Sequence, residues 1–198
     1  TNENIENCNL ITSNIKSDSY AVGGIVGNYR NNGANINLCT VVSSEITGTY
    51  KSVGGIVGEY SDNGDPSTGI MNCTVKTSKI GISGTDAKAL GGIVGNASNI
   101  SYINTLNNNR TEEGKSRING CNVLGTQISG VDYVGGISGT AATNVNNCFV
   151  GKNENQQTQI KGRNCVGGIQ GFGGILGEKP TLEYQYTDYY NKQKSVIN

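Results

Sequence analysis

Five copies of the string Val/Leu-Gly-Gly-Ile-x-Gly recur along this 198-residue chain, at Val22 to Gly27, Val53 to Gly58, Leu90 to Gly95, Val134 to Gly139 and Val166 to Gly171. Their leading glycines are Gly23, Gly54, Gly91, Gly135 and Gly167, so successive units are 31, 37, 44 and 32 residues apart. A fixed period of this size gives every residue within it a structural address, and it points to stacked repeats before any local structure is read. A second box precedes each glycine string: an aliphatic residue, then Cys-x-Val/Leu, as in Ile5/Cys8/Leu10, Ile36/Cys39/Val41, Ile70/Cys73/Val75, Ile118/Cys121/Val123 and Val145/Cys148/Val150. A third box is an isoleucine seven residues after the cysteine, at Ile15, Ile46, Ile80 and Ile128, with Ile160 displaced by an insertion.

These boxes are too short for helices, and an apolar residue every second position is the pattern of a half-buried strand. Paired glycines also disfavour a helix by about 1 kcal/mol each relative to alanine. Three strands per unit, separated by Asn/Ser/Gly/Thr turns, predict one coil of a parallel β-solenoid. Like boxes in successive coils then stack ~4.8 Å apart as parallel ladders. The expected fold is therefore all-β, with five coils over residues 1–178 (units near 5–27, 36–58, 70–95, 118–139 and 145–171) and a capping or linking segment over 179–198. That segment holds Tyr184, Tyr186, Tyr189 and Tyr190 and departs from the repeat.

Comparison between units suggests which side chains point inward. The position after the glycine pair is Ile25, Ile56, Ile93, Ile137 or Ile169, whereas the next is Val26, Val57, Val94, Ser138 or Gln170. A slot that accepts Ser and Gln is expected to face solvent. The pairs Gly23/Gly24, Gly54/Gly55, Gly91/Gly92, Gly135/Gly136 and Gly167/Gly168 are expected to turn corners, using glycine's access to positive φ. A phosphate-cradling reading of the same glycines fails because no helix follows them.

Cys8, Cys39, Cys73, Cys121 and Cys148 share one slot, which places them in a single inward column of thiols acting as small hydrophobes. Pairing between adjacent coils is the alternative, with Cys165, outside the column, as the natural partner of Cys148. No Cys-x-x-Cys spacing suggests a metal.

The glycine string resembles the GLUG repeat, a Gly-Gly-aliphatic-Val-Gly module of large bacterial surface proteins, adhesins and the non-catalytic part of immunoglobulin A1 metallopeptidases. That resemblance implies a repetitive extracellular or cell-surface scaffold and no catalytic residue.

The chain contains no His and no Trp, and its 15 basic and 15 acidic residues cancel. A Ser-His-Asp triad, a Cys-His dyad and a His-based zinc site are thereby excluded within it. A balanced charge gives no footprint for nucleic acid, and no apolar run is long enough to insert in a membrane. The N-terminus, without Met or a basic and apolar leader, reads as a segment of a longer chain. No catalytic, cofactor-binding or metal-binding residue is expected.

The inserts Asn28 to Asn35, Glu59 to Gly69 and Asn96 to Arg117 follow the glycine strings and are expected to leave the solenoid along one edge, where repeat proteins often bind. The longest holds Tyr102, Arg110, Glu112, Glu113, Lys115 and Arg117, the candidate contact set for a host or neighbouring-cell glycan or protein. Asp62-Asn63-Gly64-Asp65 has oxygen ligands for Ca²⁺, but a full calcium loop needs further carboxylates at fixed offsets, and the segment reads first as an ordinary Asp/Asn/Gly turn. Asn72, Asn96, Asn99 and Asn109 satisfy Asn-x-Ser/Thr, with Asn72 inside a strand box. Tyr29 and Tyr60 fall in register as a short exposed ladder. The expected function is a non-enzymatic spacer of a surface, fibre or adhesin protein that displays binding loops. A filament built by self-association through coil ends is the first alternative. A polysaccharide-processing solenoid comes next, because no acidic slot repeats in the manner that chemistry needs. An ice-binding solenoid falls behind for want of a regular Thr face.

Overall fold

The structure is a computed structural model that describes residues 3–18, 20–31, 34–62, 68–84, 89–99, 117–141 and 144–172. It is all-β, with no helix among these residues, and forms a parallel solenoid of five coils. Each coil contributes one strand to each of five parallel ladders, so the coil has five short strands and not the three expected. Strands run from 2 to 6 residues.

Ladder 1 stacks Ile5–Glu6, Ile36–Asn37, Gly69–Met71, Arg117–Asn119 and Asn144–Asn146. Ladder 2 stacks Asn9–Ile11, Thr40–Val42, Thr74–Lys76, Asn122–Leu124 and Phe149–Gly151. Ladder 3 stacks Asn14–Ser17, Glu45–Gly48, Lys79–Ile82, Gln127–Ser129 and Gln159–Lys161. Ladder 4 is Ala21–Gly23, Ser52–Gly54, Ala89–Gly91, Asp132–Gly135 and Asn164–Gly167; ladder 5 is Val26–Asn31, Val57–Asp62, Val94–Asn99, Ser138–Ala141 and Gln170–Phe172. Register is strict: Ile15, Ile46, Ile80, Ile128 and Ile160 oppose one another rung by rung. In-register stacking keeps each apolar file on the inside, since a one-residue slip would turn it outward.

The two additional strands come from two splits: the Ile/Cys-x-Val box divides into ladders 1 and 2, and the glycine string divides into ladders 4 and 5. The glycine string is the end of ladder 4, a two-residue turn and the start of ladder 5. The corner therefore falls where expected, but for a different reason: none of the paired glycines has positive φ. Glycine is required there by close approach. A Cβ on Gly54 would lie 2.7 Å from Gly95 N and closer still to Val57 O, and one on Gly55 would lie 2.7 Å from Val75 Cγ2 and collide with the Gly92 carbonyl of the next coil. A Cβ on Gly58 would meet Val22 N at 2.5 Å, so ladders 4 and 5 pack backbone against backbone.

Left-handed residues turn the other two sharp corners. Between ladders 1 and 2 they are Asn7, Leu38, Asn72, Gly120 and Asn147, with φ between 50° and 65°. Between ladders 2 and 3 they are Thr12, Ser43, Thr77 and Gly125. Asn72 is thus a corner residue and not a strand residue, and its Nδ2 donates to Asn37 Oδ1 of the previous coil at 3.1 Å. Asn tolerates this conformation better than most residues, which fits its abundance at these corners.

One core runs the length of the stack, and Ile36, Val41, Ile46, Ile56, Ile70, Val75, Ile80, Leu90 and Ile93 are fully enclosed within it. The slot expected to face solvent does not: Val57, Val94 and Ser138 are each 0% exposed. The Ser138 hydroxyl has no hydrogen-bond partner there. Ladder 5 packs closely against ladder 4, and Ile56 and Val57 are both fully enclosed.

Candidate functional site

Each left-handed corner residue is followed by a side chain that reaches back to the carbonyl two residues earlier. At the first corner that side chain is the column cysteine. Cys39, Cys73 and Cys121 are fully buried, whereas Cys8 is exposed and Cys148 half-buried at the two ends. Cys73 Sγ donates to Met71 O at 3.2 Å and to Ile36 O of the previous coil at 3.7 Å, and Cys121 repeats the pattern to Asn119 O and Ile70 O. All six cysteines are free thiols. Burial pushes the Cys39 thiol up to about 11. Hydrogen bonding with its neighbours Cys148 and Cys73 raises Cys121 far above the ordinary thiol range. The same hydrogen bonding with Cys121 lowers its neighbours Cys73 and the half-buried Cys148, the latter to about 7, so the column does not titrate as one set, and what its members share is the geometry of corner caps.

At the second corner the same job falls to hydroxyls, a feature the sequence reading missed. Ser44 Oγ donates to Val42 O at 2.8 Å and accepts Ser13 N–H at 3.1 Å from the previous coil. Ser78 and Thr126 continue the file, with Ser44 N–H on Ser78 Oγ at 3.2 Å and Thr126 N–H on Thr158 Oγ1 at 3.2 Å. The signal was present: a Ser or Thr stands five residues after each of the first four column cysteines. Both files satisfy backbone groups that a tight corner leaves without strand partners, a requirement that buried polar groups impose everywhere.

Exposed thiols should react and enclosed ones should not. A maleimide added to the native protein is expected to label the accessible Cys8, Cys148 and Cys165, leaving the buried Cys39, Cys73 and Cys121 unmodified until denaturant is added. Peptide mapping reads the sites. Three disulfides, or equal labelling of all six cysteines in the native state, would contradict the enclosed column.

The insert edge needs redrawing. Asn28 to Asn31, Glu59 to Asp62 and Asn96 to Asn99 belong to ladder 5, so the inserts begin later than expected. Arg117 also leaves the candidate loop, because it opens a ladder 1 strand opposite Gly69 and Asn144. Tyr102, Arg110, Glu112, Glu113 and Lys115 lie outside the described residues, as do Asn63 to Asp65 of the Ca²⁺ candidate, Asn109 and the segment 179–198 with its tyrosines. Of the sequons, Asn96 is buried and accepts Thr140 Oγ1–H at 2.6 Å, which closes it to glycosylation.

Tyr29 and Tyr60 stack as predicted by register, with ring centroids 5.5 Å apart and planes 10° from parallel. They are buried rather than exposed, at 8% and 1%, and belong to the core. An aromatic pair that does reach solvent is Tyr20 with Tyr50, centroids 6.3 Å apart, where Lys51 Nζ sits 4.2 Å above the Tyr20 ring and bonds its hydroxyl. Among the described residues no three His, Cys, Asp or Glu side chains are grouped to hold a metal ion, and no helix is long and apolar enough to cross a membrane. No protein-family model, curated protein or solved structure matches the chain.

Proposed function

We propose that this chain is a non-enzymatic β-solenoid spacer of an extracellular surface, fibre or adhesin protein, and that its inserts carry whatever contact it makes with a glycan or protein. The observation that carries this reading is the indifference of the ladders to the inserts. Residues 100–116 separate the third and fourth coils, yet Ile70 still opposes Ile118 and Val57, Val94 and Ser138 still form one file. Insert length is thus uncoupled from the rod, an arrangement in which loops vary at little cost because closure entropy rises only slowly with length. A core of five parallel files, each continuous from coil to coil, gives the stiffness a spacer needs. The resemblance of the glycine strings to GLUG repeats supports the surface location.

Removal of residues 100–115 is expected to leave the cooperative thermal transition in place and to abolish binding on a glycan array or in a pull-down from host-cell surface proteins. Binding that survives the deletion unchanged would move the contact away from the insert. Release of new reducing ends from a polysaccharide by the intact chain would overturn the non-enzymatic reading.

A further inference from the structure

The glycine slots repeat in every coil, but their steric reason does not. A Cβ on Gly24, Gly55, Gly92 or Gly136 would collide with the carbonyl of the equivalent glycine one coil further on, whereas one on Gly168 would meet none of the described residues within 4 Å. The third glycine of each string faces the other way. A Cβ on Gly58, Gly95, Gly139 or Gly171 would lie 2.5 to 2.7 Å from the carbonyl of Gly27, Gly58, Gly95 or Gly139 in the preceding coil. On Gly27 it would meet, among the described residues, only Ala21 O of its own coil, at 3.1 Å. Among the described residues, which end at Phe172, Gly168 at one end and Gly27 at the other therefore leave clear a space that a neighbouring coil would need.

The backbone at the two ends is complementary in the same register. The carbonyls of Cys8, Cys39, Cys73 and Cys121 accept N–H groups from Thr40, Thr74, Asn122 and Phe149 of the following coil. The Cys148 carbonyl holds the equivalent place in coil five, and the equivalent donor on coil one is Asn9 N–H. In the opposite sense, Ile25, Ile56, Ile93 and Ile137 donate N–H groups to Ile56, Ile93, Ile137 and Ile169 carbonyls. The Ile169 N–H and the Ile25 carbonyl are the matching ends of that file. Side chains follow suit: Val166 and Ile169 are 46% and 40% exposed, although Val134 and Ile137 one coil earlier are enclosed.

The insertion in coil five does not cover this edge. It closes on itself through Asn153 and Gln156, and Asn153 Nδ2 donates to Thr77 Oγ1 at 2.9 Å, so it folds back over the earlier coils.

We propose that coil five of one copy stacks on coil one of a second copy, head to tail, continuing all five ladders across the joint. The inference rests on the fold and not on the spacer reading. An open row of N–H and C=O groups is a template for further strands, and a heterologous contact that does not close a ring extends into a fibre. The zero formal net charge puts no bulk repulsion in the way. Lys16 and Lys161 fall in one file and would adjoin across the joint, so added salt should strengthen the association.

The test is analytical ultracentrifugation of the 198-residue chain with Gly27→Asp and Gly168→Asp, either of which places a carboxylate in the joint without a severe clash in the monomer. Circular dichroism and thermal melting check that both variants keep the wild-type fold. The wild type should sediment as a concentration-dependent series above its 20.7 kDa monomer. Each variant alone should stay monomeric, and an equimolar mixture of the two should give a dimer and nothing larger, because each retains the face that the other lacks. A wild type that stays monomeric at several hundred micromolar would overturn the proposal. So would dimerisation of either variant alone, which would mean like ends meeting, or assembly indifferent to both substitutions, which would place the contact elsewhere.

Discussion

Gly55→Ala is expected to unfold this protein or come close to it, whereas Gly168→Ala, in the same slot of the last coil, should leave monomer stability within about 0.5 kcal/mol of wild type. The added methyl at position 55 has no room. It would sit 2.7 Å from Val75 Cγ2 and 2.8 Å from Ile80 Cδ1, and against the Gly92 carbonyl, which belongs to backbone fixed by the ladders. Overpacking in cores costs about 1–3 kcal/mol where side chains can yield. Here a carbonyl in a parallel ladder must move, so the loss should exceed about 3 kcal/mol. At position 168 no atom of the described residues lies within 4 Å of the new Cβ, and the alanine gains a little from a less flexible unfolded chain. Chemical denaturation at low micromolar concentration, where end contacts are diluted out, compares the two. Similar losses at both positions would show that the glycines are kept for backbone conformation and not for coil-to-coil approach.

Ile56→Asn should cost about 4 kcal/mol or more, the sum of a lost buried aliphatic side chain and an amide brought into an apolar file. Ile56 is fully enclosed, and domains of this kind have only about 5–15 kcal/mol in total. Val57→Ser, which the sequence alone marks as harmless, should cost about 2 kcal/mol because Val57 is as enclosed as its neighbour. The serine is the milder change, since Ser138 shows that a small hydroxyl fits this slot. A Val57→Ser variant indistinguishable from wild type would restore the solvent-facing assignment.

That slot illustrates how far the sequence carries. The coil period, the inward files headed by Ile36, Val41 and Ile46, the cysteine column and the parallel stacking were all legible, because a repeat compares a residue with its own counterparts. The Val57 slot was misread because substitution between repeats reports size and local partners as well as exposure. Ser138 is enclosed with its hydroxyl unbonded, and Gln170 is accommodated in the last coil, where its Nε2 donates to Ala141 O at 2.9 Å and Phe172 O at 3.0 Å. Ladders 4 and 5 merged into one expected strand because glycine was taken as a φ signal. Its role in letting two backbones touch has no periodic signature of its own. Tyr29 and Tyr60 were in register, as read, but their place in the core is set by packing across the coil, which no local pattern encodes. Arg117 shows the same limit at an insert boundary, since the return to ladder 1 is set by its pairing with Gly69 and Asn144.

The central claim is that five coils stack in parallel and in register, and interstrand nuclear Overhauser effects test it most directly. In a protein labelled on isoleucine methyls and backbone amides, cross-peaks should connect Ile15 to Ile46, Ile46 to Ile80, Ile80 to Ile128 and Ile128 to Ile160, each pair ~4.8 Å apart across one rung. No contact should skip a coil. Cross-peaks that pair these strands antiparallel, that shift the register by one residue, or that link Ile15 directly to Ile80 would contradict the solenoid and with it the account of the glycine slots and the coil ends.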